Sequence, residues 1–237
     1  MSTRELVVAI DGPAGAGKST VSRKVAERLG YLLLDTGALY RCIALAAKDA
    51  GVAWGDEGSV AALARDIARR EAIRLEAPKD GPERILLDGR DVSRLIRTQD
   101  IGSGASQVSA LPAVREALLE LQRAAARSGG VVLEGRDIGT VVLPDAEAKF
   151  FLTASVEERA GRRYRELLAR GFTPELGEVQ REMRERDARD TERPVAPLRQ
   201  APDAALIDST SLSIEEVVDA IVERVRALRA ARPAGEP

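Results

Sequence analysis

Eight residues near the start of the chain, Gly12-Pro13-Ala14-Gly15-Ala16-Gly17-Lys18-Ser19, constrain the fold more than any other feature of the sequence. They match the pattern G-x-x-x-x-G-K-[ST], a loop whose backbone N–H groups turn inward around phosphates. Their surroundings fit the pattern. The short β-branched run Leu6–Ile10 precedes the loop and reads as a buried strand. From Lys18 the pattern becomes helical, with Val21, Val25 and Leu29 on one face and Gly30 as a stop signal. Leu32–Leu34 then reads as a second buried strand ending at Asp35. Strand, glycine loop, helix and strand within about 30 residues form a βαβ unit, which requires a parallel sheet with a right-handed crossover. In such a unit Lys18 reaches the β- and γ-phosphates as a point charge, and the Ser19 hydroxyl joins the coordination of Mg²⁺. The expected ligand is a nucleoside triphosphate, held by the loop from Gly12 to Thr20.

The rest of the chain extends this α/β alternation. Buried strands are expected at Val131–Leu133, Lys149–Leu152 and Ala205–Ile207. Ser155 and Ser213 each precede a glutamate by three residues, the pattern that starts a helix with reciprocal side-chain caps. The last helix shows one apolar face built from Ile214, Val217, Val218, Ile221, Val222, Val225 and Leu228, and should pack on the sheet. The tail beyond Ala230, with two prolines and a glycine, is expected to fray. Two stretches break the alternation. Ile73–Ala77 and Glu83–Asp88 flank Lys79-Asp80-Gly81-Pro82 and read as a β-hairpin, hence a small antiparallel insertion. Between Glu157 and Arg199, 11 arginines face 10 acidic residues with few large apolar side chains, which fits an exposed helical pair or a mobile lid.

What is missing narrows the chemistry. The 237 residues include no histidine, which excludes Ser-His-Asp and Cys-His nucleophiles and His-liganded zinc. With a single cysteine, Cys42, no intrachain disulfide or cysteine-based cluster can form, and Cys42 reads as helix packing. There is no asparagine, so the Asn-Lys-x-Asp segment by which GTPases read guanine cannot be built. The formal net charge of −2 lacks the basic surplus a general nucleic-acid binder needs. No apolar run approaches the roughly 18 residues of a membrane span. The expectation is a cytoplasmic small phosphotransferase that binds neither nucleic acid nor membrane. Arginine outnumbers lysine 31 to 5, which a GC-rich genome explains more readily than bidentate phosphate binding does.

Six segments, in order, carry a specific resemblance: GPAGAGKST from Gly12, DTGALYR from Asp35, ASQVSALPAVREAL from Ala105, EGRDIGTVVLPDA from Glu134, RERDARD from Arg184 and RPVAPL from Arg193. Together they are similar to the bacterial cytidylate kinase family of P-loop nucleoside-monophosphate kinases, over about Leu6 to Leu228. The resemblance implies a five-stranded parallel sheet with helices on both faces, a nucleotide-acceptor insertion containing a small antiparallel sheet, and a helical lid. It implies one kinase domain over 1–230, with a core at 1–38, 107–154 and 200–230, a CMP-binding subdomain at about 39–106, a lid at about 155–199 and a flexible tail at 231–237. The expected state is a monomer.

By the same resemblance, Thr36, Arg41, Ser106, Arg115, Arg136, Asp137, Arg186, Asp190 and Arg193 bind CMP. Thr36 stands where family members often have serine. Arg115 and Asp137 offer the donor and acceptor that a cytosine edge needs, Ser106, Arg186 and Asp190 suit the pentose, and Arg41, Arg136 and Arg193 suit the monophosphate. Lys18 and Arg136, with Arg159 and Arg163 from the lid, are the expected catalytic residues. Asp11, Asp35 and Asp137 are candidates to orient waters on Mg²⁺. Against these roles stand local ones. Arg186 and Asp190, four apart, also make a surface ion pair on a helix, and Arg159, Arg162, Arg163 and Arg165 also read as solvated helix charges. The implied reaction moves the γ-phosphoryl group of ATP to CMP, with dCMP as a second acceptor. The alternatives are a kinase for another small acceptor such as UMP, and a non-catalytic regulatory module that uses ATP as a switch.

Overall fold

The computed structural model describes residues 4–76 and 84–232. β1 (Val7–Asp11) runs into the glycine loop and then α1 (Lys18–Leu29), which ends at Gly30 with a left-handed φ of 70°. β2 (Leu32–Asp35) leads directly into α2 (Thr36–Asp49), followed by α3 (Glu57–Arg69). The chain then forms β3 (Ile73–Glu76), β4 (Arg84–Leu87) and β5 (Arg90–Asp91), then α4 (Gln99–Val108) and α5 (Pro112–Ala126). β6 (Val131–Gly135), a short π-helical turn over Ile138–Val142 and β7 (Ala148–Thr153) come next. The charged stretch forms α6 (Val156–Ala169) and α7 (Leu176–Glu192), before β8 (Ala205–Asp208) and α8 (Ile214–Ala230).

Five strands form one sheet in the order β2-β6-β1-β7-β8. β1 runs parallel to both of its neighbours, with Asp11 opposite Gly135 on β6 and opposite Phe151 on β7. β1 and β6 are buried along their whole length, as expected of central strands. The two outer strands depart from the sequence expectation of burial: Leu32 on β2 is 72% exposed and Leu206 on β8 is 58% exposed. Each occupies a sheet edge, where a neighbour is missing on one side, and apolar content alone does not distinguish an edge from a centre.

The chain groups into two compact units, residues 1–33 with 126–237, and residues 34–125. The first has a core in which Val21 and Val25 of α1 and Val218, Ile221 and Val222 of α8 meet Val8, Ile10, Val132, Phe150 and Leu152 of the sheet. α8 presents the predicted apolar face, and Ser213 and Glu216 close the full capping box. At α6 the cap is one-sided: Ser155 accepts from the N–H of Glu158, whose carboxylate turns to Arg162. α6 and α7 share a small cluster of Ala160, Leu167, Val179 and Met183.

The second unit has its own core around Leu39, Ile43, Val60, Ile67, Ile85, Ile101 and Leu118. Cys42 lies fully buried in it, and burial pushes its thiol up to about 12, so it is a packing residue as expected. The hairpin exists, with Ile73 opposite Leu87 and Glu76 opposite Arg84; its expected turn at 79–82 lies outside the described residues. A third strand, β5, joins it across Asp88 and Gly89, both at positive φ. The expected flexible tail falls mostly outside the described residues, and α8 continues as helix through Ala230. Among the described residues, no helix is long and apolar enough to cross a membrane.

Candidate active site

The first unit carries the glycine loop. Its tightest constraint is at Gly12, where a Cβ would lie 1.9 Å from the carbonyl oxygen of Leu152 on β7; Gly15 and Gly17 adopt φ of 76° and 90°. α1 then starts with no side-chain cap and no acidic residue in its first turn. Its first N–H groups and positive dipole end are therefore available to an anion. By contrast α2 is capped by Asp35, which accepts from Ala38 N–H at 3.2 Å.

Lys18 is buried, and its ammonium donates to the carbonyl oxygen of Pro13 at 2.7 Å. Burial and then the positive charge of Arg136 pull it down to about 7, with Arg186 adding to this and Glu134 and Asp190 opposing it. Two of the ion pairs in this unit join predicted acceptor residues to one another. Arg136 donates through Nε to Asp190 at 2.8 Å, and Arg193 donates to Asp137 at 3.0 Å while its Nε reaches Ala196 O. Burial works against charge on Asp190, yet Arg136, with Arg186 and Arg193, outweighs it and holds the carboxyl below its ordinary value. The partner of Asp190 is thus an arginine 54 residues away, not only the neighbour four residues back.

The arginines of α6 occupy different settings. Arg159 is buried, bonding Ala154 O, Ala14 O of the glycine loop, and Asp187 at 2.7 Å. Arg163 pairs with Glu166 on its own helix. Arg162, expected only as a helix charge, reaches Ala16 O and both the hydroxyl and carbonyl oxygens of Ser209. Sequence reasoning gave no role to Glu134, Asp187 or Ser209. Glu134 was the one with a signal, a carboxylate in an otherwise apolar strand.

The second unit carries the other four predicted acceptor residues. Thr36 is buried at the first position of α2. One turn on, Arg41 donates to Ile96 O at 2.8 Å. Arg115 is buried, lies over the Tyr40 ring at 5.6 Å and donates to Ser109 O. Ser106, on α4, has a buried hydroxyl without a hydrogen-bond partner among the described residues. A polar atom in that position is costly unless a ligand satisfies it.

No group of three His, Cys, Asp or Glu side chains among the described residues is placed to hold a metal. The three aspartates considered for Mg²⁺ are engaged: Asp11 by two backbone N–H groups, Asp35 as a helix cap, Asp137 by Arg193. The exposed Ser19 at the start of α1 fits a cation held mainly by nucleotide phosphates and water, which is the usual mode for Mg²⁺.

A parallel sheet, a glycine loop leading into an uncapped helix, a buried lysine and an arginine cluster beside it define a P-loop kinase. A profile of the cytidylate kinase family matches residues 8–227. Curated relatives include the cytidylate kinases of Syntrophotalea carbinolica, 53% identical over 94% of this chain and 92% of the relative, and of Geobacter sp. strain M21, 52% identical over 93% of each. That of Symbiobacterium thermophilum is 50% identical over 94% of this chain and 97% of the relative. The chain belongs to the cytidylate kinase family.

Proposed function

We propose that the protein phosphorylates CMP with ATP, giving CDP and ADP, and accepts dCMP as well. The observation that carries this reading is the set of Arg136, Arg186 and Asp190, close enough to act electrostatically on Lys18. A chain that used ATP only as a switch would have no need of them. Gly12 to Thr20 take the triphosphate. Ser19 and the phosphates would hold Mg²⁺, which would supply charge neutralisation on the transferring group.

The acceptor oxygen of CMP is already ionised at neutral pH, so the reaction needs no general base and loses nothing by the lack of histidine. Catalysis rests on alignment and on positive charge where negative charge develops. Thr36, Arg41, Ser106 and Arg115 are assigned to the nucleotide acceptor together with Arg136, Asp137, Arg186, Asp190 and Arg193. Ser106 offers an unsatisfied hydroxyl for a pentose, and Arg115 a donor held in place by Tyr40. Residues 155–199 act as the lid that excludes water. Arg159 contributes from a guanidinium already held against the loop backbone, and Arg163 by leaving Glu166. We assign the enzyme to the cytoplasm.

A steady-state assay with CMP, dCMP, UMP and AMP tests the reading. CMP and dCMP should lead in kcat/KM; a preference for UMP or AMP above tenfold, about 1.4 kcal/mol, overturns it. Lys18→Ala should abolish most turnover, and ATP binding without any CDP formed would point to a switch instead.

A further inference from the structure

Asp11 ends β1 and immediately precedes the glycine loop. Its carboxylate accepts from a different part of the chain. Oδ1 accepts the backbone N–H of Ile138 and Oδ2 that of Gly139, both at 2.8 Å. The parallel register that sets Asp11 opposite Gly135 brings the end of β1 beside the turn that follows β6. That turn begins one residue after Arg136 and Asp137, the residues paired with Asp190 and Arg193. At Gly139 the approach is close: a Cβ there would lie 3.5 Å from Asp11 Oδ2 and 3.2 Å from Lys149 Cδ.

We propose that Asp11 is a positioning residue for phosphoryl transfer, fixing the loop that carries Arg136 and Asp137 relative to the glycine loop by holding two successive backbone N–H groups. The inference rests on the CMP kinase reading above. Only a carboxylate meets the requirement in this geometry. An asparagine amide has one acceptor oxygen, and its NH₂ group would face the second N–H. The arrangement also runs against stability, since burial disfavours the charged carboxylate and pushes it up to about 6. A bracket that sets the spacing of reacting phosphates acts where a shift of about 1 Å costs about 100-fold in rate.

The experiment compares wild type with Asp11→Asn at pH 8, measuring kcat, KM for CMP and ATP, the Mg²⁺ concentration for half-maximal rate, and the thermal midpoint. Asp11→Asn should lower kcat about 10- to 100-fold, leave KM for ATP and the Mg²⁺ requirement within threefold, and keep a thermal midpoint no lower than wild type. Asp11→Glu, which keeps both acceptor oxygens but lengthens the side chain by one methylene and so displaces the bracketed loop, should give the same pattern in milder form. Retention of wild-type kcat by Asp11→Asn overturns the positioning role, as does a loss that excess Mg²⁺ restores, which would make Asp11 an orienter of metal-bound water. Should Asp11→Asn fail to fold, unchanged kcat in Asp11→Glu overturns it equally. Absence of CDP from the wild-type reaction overturns the underlying reading and is distinct from all of these.

Discussion

Replacing Gly104 on α4 by alanine would drive a methyl group into the only tryptophan of the chain. A Cβ at Gly104 lies 2.4, 2.6 and 2.8 Å from Trp54 Cε2, Cζ2 and Cδ2, against the roughly 3.5 Å of a relaxed carbon contact. Relief needs a displacement of about 1 Å. Trp54 is anchored by its indole N–H, which donates to Ala44 O at 2.9 Å, and packs on the core of this unit. If the ring yields, that bond is lost at about 1 kcal/mol; if α4 yields, overpacking strain of about 1–3 kcal/mol stays in the core. Alanine regains about 1 kcal/mol as the better helix former, leaving a net loss of about 0–2 kcal/mol. For a chain of this size the middle of that range, about 1 kcal/mol, is about 2–4 °C in thermal midpoint. Gly58→Ala on α3 is the control: its Cβ would meet only Asp56 Oδ1 at 3.7 Å, so it should gain about 0.5–1 kcal/mol. Urea unfolding followed by Trp54 emission and far-UV circular dichroism reads both variants. Because Ser106 lies two residues beyond Gly104 on α4, the KM for CMP should also rise about tenfold. Equal stability of the two variants would refute the packing argument, and an unchanged KM would detach Ser106 from the acceptor.

Three further outcomes are expected. Asp190→Ala strips Arg136 of its partner and should raise the KM for CMP about 10- to 100-fold while leaving that for ATP nearly unchanged; a CMP value within twofold would reduce Asp190 to a clamp. For Asp11, raised from 3.8 to about 6, the native state holds a proton that the unfolded chain releases. Stability should therefore fall by about 2 kcal/mol as pH rises from 4.5 to 6.5, and Asp11→Asn should lack this slope; coincident wild-type and variant profiles would contradict it. Cys42, buried and pushed up to about 12, should resist a thiol-reactive dye at pH 8 until the protein unfolds, and one rapid equivalent in the native protein would show the helix to be open.

The central βαβ unit was legible because its signals are local: a β-branched run, glycines at positive φ, and an apolar repeat closed by Gly30. β2 and β8 were recognised as strands but misjudged as buried, since burial at an edge depends on a neighbour the sequence does not name. β5 went unseen because a two-residue strand has no periodicity, although Asp88-Gly89 is a strong hairpin-turn signal. The charged residues proposed for the site were singled out through motifs, yet their partners were not. Spacing offers Arg186 for Asp190, whereas the fold also supplies Arg136, and Arg193 for Asp137, across more than 50 residues. The task of Asp11, bonding donors on a different strand connection, has no signature in linear sequence at all.

The buried lysine of the glycine loop carries one more implication. Burial and the charge of Arg136 both work against the ammonium of Lys18, which donates to Pro13 O, and pull it down to about 7. A triphosphate favours the ammonium strongly. Loading the nucleotide should therefore draw a fraction of a proton from solvent, and the heat of ATP binding should change with the ionisation enthalpy of the buffer. A triphosphate beside Lys18 thus strengthens the very charge that binds it, against the pull of burial and of Arg136.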